Sequence, residues 1–153
     1  MTDKEVEAIN TEEALASDER ISNVVSYIIE HFDQKTKRNS YYDLKVREML
    51  CRRGINKPHR LHQLAVKYVS AHAQATTLAY LIEENLLTEK ELEVVKKGRN
   101  TKSRSVPKNT DVLTYTHSTA FEALIGYLYL TEQGERLNQI VSYSIEFKDG
   151  VTN

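Results

Sequence analysis

Helix-breaking residues are scarce in this chain: its 153 residues include five glycines and two prolines. Between them, apolar side chains recur at three- and four-residue spacings, and no strand-like alternation persists. Residues 21–33, ISNVVSYIIEHFD, put Ile21, Val24, Val25, Ile28, Ile29 and Phe32 on one helical stripe. After a polar linker, SYYDLKVREMLCRRG gathers Tyr41, Leu44, Met49 and Leu50 on a broad face, with Gly54 placed as a C-terminal stop. Pro58 suits the first turn of the next helix, and Ser70 marks a junction that divides an otherwise long helical run. Thr88 and Glu91 form a capping box, and Gly98 is expected to end the helix it starts. Residues 99–117 are then predicted as the one long loop, Ser118 as the cap of STAFEALIGYLYL, and 134–147 as a last helix burying Leu137, Ile140, Val141 and Ile145. The expected fold is all-α, with six or seven helices and no internal repeat.

The length suits one domain with a core of its own. Hydrophobic residues make up 40% and charged residues 28%, the balance of a folded globular chain rather than a disordered one. No apolar run approaches the ~20 residues that span a bilayer, so no membrane role is expected. The N-terminal stretch is acidic and lacks an apolar h-region, which gives no expectation of a secretory signal. Cys51 is the single cysteine, which excludes an internal disulfide framework or a Cys-based zinc cluster and fits a reducing cytoplasm. The expected organisation is an acidic arm at 1–20, a helical domain at 21–147 and a short tail at 148–153.

A net charge of −1 hides a lopsided distribution. Residues 35–108 hold 17 Lys/Arg against 7 Asp/Glu, whereas the remainder holds 4 against 15. Such a split allows one basic face turned to a polyanion, or simply uneven surface charge. The densest run is KKGRNTKSRSVPKN, with Lys96, Lys97, Arg99, Lys102, Arg104 and Lys108 interleaved by Asn100, Ser103, Ser105 and Asn109. Cations supply charge to phosphates, and small polar groups add the short hydrogen bonds that fix register. A solvated loop kept soluble by its lysines is the plain alternative. Glu122 lies beside the apolar face of its helix, one turn before Gly126, where missing bulk would admit a helix or a ligand. A carboxylate at such a rim suits Mg²⁺, while a water-exposed helix Glu is the alternative. His59 and His62 fit capping or packing better than a metal site, and Cys51 has no base placed by sequence to make it a nucleophile.

The segments KYVSAHAQA (67–75), KKGRNTKS (96–103), PKNTDVLTY (107–115) and STAFEALIGYLYL (118–130) resemble the signature segments of the mini-ribonuclease III family. GINKPHRLHQLAVKYVSA (54–71) agrees in order and spacing, and the resemblance covers about 41–147. It implies a ribonuclease III-like catalytic domain without a double-stranded-RNA-binding domain, and Mg²⁺-dependent cleavage of double-stranded RNA. It further implies a homodimer whose substrate is precursor RNA of the large ribosomal subunit, with ribosomal proteins as further candidate partners. Glu122 matches the family's metal-binding glutamate in E-A-L-x-G. Lys97, Arg99, Asn100, Lys102, Ser103, Arg104, Lys108 and Asn109 match its RNA-binding segment, and Asp111 and Tyr115 its D-V-x-T-Y stretch. One departure stands out: where the family carries Gly-Asp, with Asp as the central catalytic ligand, this chain reads Arg38-Asn39. Asn39 keeps an amide oxygen but loses the charge. Two expectations follow. In the first, a shifted register brings Asp33, Glu30 or Asp43 to the metal beside Glu122. In the second, the domain keeps RNA binding and loses catalysis. Thr116 also stands where a basic residue is usual.

Overall fold

The computed structural model describes residues 18–31, 41–100 and 111–152. Seven helices and no strand occur among them: α1 (Asp18–His31), α2 (Tyr41–Arg52), α3 (Pro58–Val69), α4 (Ala71–Glu83), α5 (Glu89–Asn100), α6 (Val112–Leu130) and α7 (Gly134–Thr152). The all-α expectation holds. No helix among the described residues is long and apolar enough to cross a membrane.

Helix α6 is apolar on every side, and such a helix must be surrounded. It packs against α1, α2, α4, α5 and α7, and every residue from Ser118 to Leu128 is buried. The other helices contribute their apolar faces to this axle: Ile21, Val25 and Ile28 from α1, Tyr42, Val46 and Leu50 from α2, Leu137, Ile140, Val141 and Ile145 from α7. Two glycines let neighbours come close. A Cβ on Gly98 would stand 2.9 Å from the Ala120 Cα, and one on Gly126 would stand 2.9 Å from Ile28 Cδ1. Gly98 therefore lies inside α5 as a contact point with α6, and the helix runs two residues past the stop expected there.

The helix ends follow local chemistry. Gly54, at φ 96°, closes α2 with paired bonds, Gly54 N–H to Cys51 O at 3.0 Å and Ile55 N–H to Leu50 O at 3.1 Å. Asn85 and Glu132 end α4 and α6 in the same left-handed conformation. Pro58 occupies the first turn of α3, and Ser70 separates α3 from α4 while its Oγ accepts from Ala73 N–H at 3.2 Å. The capping box is formed in both directions: Thr88 N–H donates to Glu91 at 2.9 Å, and Glu91 N–H to Thr88 Oγ1 at 3.2 Å.

Three further sequence-based boundaries shift. Asp111, not Ser118, caps α6, its carboxylate accepting from Thr114 N–H at 3.2 Å. Ser118 is buried nearly two turns into the helix and donates to Tyr115 O at 2.8 Å. The loop predicted at 99–117 is thus helical at both flanks, and 101–110 lie outside the described residues. The last helix, expected to stop at 147, continues to Thr152, where Asp149 accepts from Tyr68 Oη at 2.7 Å and from Arg53 at 3.1 Å. Burial, with the Asp149 bond, pushes the Tyr68 phenol up to about 12. Helix α1 begins at Asp18, within the stretch read as an acidic arm; the rest of that arm lies outside the described residues.

Candidate active site

Glu122 sits in the middle of α6 and is 7% exposed, so the solvated-Glu alternative fails. A buried carboxylate requires compensation, and Gln74 of α4 provides it. The Gln74 Nε2 donates to Glu122 Oε1 at 2.8 Å and to the Val69 carbonyl at 3.0 Å. One turn along α4 from Gln74 lies Thr77, and one turn back along α6 from Glu122 lies Thr119. The hydroxyls of Thr77 and Thr119 and the Gln74 Oε1 are buried without a hydrogen-bond partner. Gly126 does admit a neighbour, as its spacing implied, and that neighbour is Ile28 of α1.

Tyr42 of α2 is fully buried and packs on the residue before Glu122. Its ring meets Phe121 edge-on, with centroids 4.8 Å apart and planes at 90°. Burial pushes its phenol far above the usual tyrosine range, and the Glu122 charge acts in the same direction. The Ser144 side chain opposes that shift without cancelling it, so the phenol stays neutral near pH 7. Tyr41, next to it, stacks on Tyr129 with centroids 3.9 Å apart, so both ring contacts pin the first turn of α2 to α6. That turn follows Asn39 in the sequence. Asn39 and Asp33 themselves lie outside the described residues. Asp43 is buried on α2 and bonded to Arg47 Nε at 2.9 Å.

Among the described residues, no group of three or more His, Cys, Asp or Glu converges as a metal cluster. The chemistry of Glu122, of Gln74 bonded to it and of the threonines one helical turn from each nonetheless suits a hard cation: a carboxylate, an amide oxygen and two hydroxyls, with no thiolate or imidazole among them. Mg²⁺ is commonly held by one or two carboxylates, with waters and substrate phosphates completing the shell. His59 and His62 are exposed, and His62 Nδ1 lies 3.2 Å from Arg47 Nη2. Cys51 is exposed and free.

The cationic segment divides. Lys97 is half-buried and donates to Ser22 Oγ of α1 at 3.0 Å, whereas Arg99 and Asn100 are exposed at the end of α5. Lys102, Ser103, Arg104, Lys108 and Asn109 lie outside the described residues. Thr116 is turned inward on its own helix, donating to Val112 O at 2.8 Å. Sequence reasoning from spacing did not single out Gln74, Thr77, Thr119 or Tyr42. The available signal was the polar side chains of Gln74 and Thr77 in AHAQATTLA, where neighbouring small and apolar residues mark a core face.

A family model for the ribonuclease III domain matches residues 39–133. The Mini-ribonuclease 3 of Streptococcus pneumoniae is 50% identical over 112 residues, which are 73% of this chain and 88% of that one. That of Enterococcus faecalis is 44% identical over 115 residues, 75% of this chain and 86% of its own. A crystal structure of a Fusobacterium nucleatum protein shares the fold at 24% identity, with a TM-score of 0.59, covering 86% of this chain and 93% of the other.

Proposed function

Because the chain belongs to the ribonuclease III domain family and is an endoribonuclease of that type, we propose that it cleaves double-stranded regions of large-subunit ribosomal RNA precursor in the cytoplasm, with Mg²⁺ as cofactor. The observation that carries this reading is the buried Glu122 carboxylate held by Gln74. Glu122 would hold the cation, with Thr119 one helical turn from it and Thr77 one turn from Gln74. Bound Mg²⁺ supplies an activated water and positive charge for the phosphoryl oxygens. The remaining ligand belongs to the Asn39 segment or to Asp33 or Asp43. The chain's own part is to hold the carboxylate in one orientation inside a dry, packed wall, and to bring duplex phosphates to it with cations from 96–109. A-form RNA is gripped through backbone and shape, so weak sequence preference follows.

Two copies placing two such sites across a symmetric valley would cut both strands. Apolar surface near the first turn of α2 supports self-association: Leu44 is 58% exposed, one turn from the Tyr41–Tyr129 stack, and Tyr129 is half exposed. Ribosomal proteins remain candidates for a further contact.

Incubating the protein with perfect duplex RNA and Mg²⁺ tests the proposal. Products carrying 5′-phosphates, lost when Mg²⁺ is chelated, are expected. Salt-sensitive duplex binding without any cleavage would overturn it in favour of a binding module. Asn39→Asp is expected to raise Mg²⁺-dependent cleavage. No change there, together with loss of activity in Asp33→Ala, would assign the missing carboxylate to Asp33.

A further inference from the structure

We propose that Gln74 is a positioning residue for the catalytic carboxylate, setting the orientation in which Glu122 meets its cation. This rests on the reading of Glu122 as the cation-binding group. Both partners of the Gln74 Nε2 are acceptors, the Val69 carbonyl and Glu122 Oε1. Turning the amide over would set its oxygen against both, so its orientation is determined by chemistry. The side chain is fully buried, which makes a donor lost from either bond expensive. Its backbone is equally fixed: Gln74 N–H donates to Ser70 O at 2.9 Å in the first turn of α4.

One amide thus ties three helices together at the carboxylate. Val69 is the last residue of α3, where carbonyls run out of helical partners. Gln74 satisfies that carbonyl with one N–H and orients Glu122 of α6 with the other. A purely structural glutamine would need only the first bond. The second spends a donor on a group whose ionised form accepts strongly, which restrains the Oε1 of the carboxylate before a cation arrives. Groups that orient a metal ligand in this way typically change affinity or activity 10- to 100-fold when removed.

The test substitutes Gln74→Met, which keeps length and removes the donors. Duplex cleavage across a Mg²⁺ series is compared with duplex binding measured without divalent ion. Expected are a fall in kcat of about 10- to 100-fold and a Mg²⁺ midpoint raised about tenfold, with KM and metal-free RNA binding within about twofold of the parent. A parental kcat and Mg²⁺ midpoint would overturn the proposal. If Gln74→Met does not fold, the unmodified protein decides. With ¹⁵N labelling, the Gln74 side-chain amide resonances are expected to shift on MgCl₂ titration with the midpoint seen in cleavage, and unmoved resonances refute the assignment. Glu122→Gln separates the two levels. Undiminished cleavage in that variant sinks the cation-site reading. Its inactivity beside a parental Gln74→Met sinks the Gln74 assignment alone.

Discussion

Single side chains carry the heaviest physical demands in this protein where charge is buried. Glu91 shows the trade clearly. Burial alone would raise its pKa, but the Arg136 guanidinium, bonded to both carboxylate oxygens at 2.8 Å, and the Thr88 N–H more than offset it. The folded pKa therefore lies below the ordinary 4.5. A depressed carboxylate pKa gives stability that is fully present above the unfolded pKa and is lost as pH falls through the folded one. The stability deficit of Glu91→Gln should accordingly be full at pH 7 and shrink below about pH 4.5, as read by denaturant unfolding across pH. A deficit independent of pH would contradict this. Glu132 makes the opposite case, a non-glycine residue at φ 58°. Relieving that conformation with Glu132→Gly is expected to raise stability by about 0.5–1 kcal/mol; a lower melting temperature would contradict the strain assigned to it.

At the scale of helices, what could be read from sequence was what local chemistry decides. Pro58, the Ser70 junction, the Thr88–Glu91 box and the Gly54 stop all act through bonds within a few residues, and each stands where expected. The errors came where tertiary packing overrules local preference. Gly98 reads as a stop because glycine in a helix costs roughly 1 kcal/mol, yet α5 keeps it because α6 passes too close for a methyl group. Residues 112–117, rich in threonine, look like loop but continue α6 from the Asp111 cap. Glu122 was singled out by position, whereas its partner Gln74 lies 48 residues away and only the packing of α4 on α6 joins them. Gly98→Ala is expected to cost about 1–3 kcal/mol despite its better helix propensity. The obstacle is the Ala120 backbone, so the cost should exceed that of Gly126→Ala, which meets only the Ile28 side chain. The reverse order in paired thermal melts would refute this account of the α5–α6 seam.

For the molecule as a whole, charge and surface apolarity govern what it meets. The excess of Lys/Arg between 35 and 108 suits a polyphosphate partner, and part of that segment joins α5 to the central helix bearing Glu122. Lys102→Ala with Arg104→Ala is expected to weaken duplex binding and to lessen the salt slope of log K by about 2; unchanged binding would remove the loop from the interface. If two copies pair as proposed, Leu44→Glu, on the exposed apolar surface beside Tyr41, is expected to sediment as a monomer where the unmodified protein sediments as a dimer, and an equal association state in both would remove this surface from the proposal. The most direct measurement remains duplex cleavage by Glu122→Gln, titrated with Mg²⁺ beside the unmodified protein. The account predicts a loss of about 10²-fold or more in kcat at saturating Mg²⁺ with duplex binding retained. Cleavage at the parental rate, with the parental Mg²⁺ dependence, would contradict it.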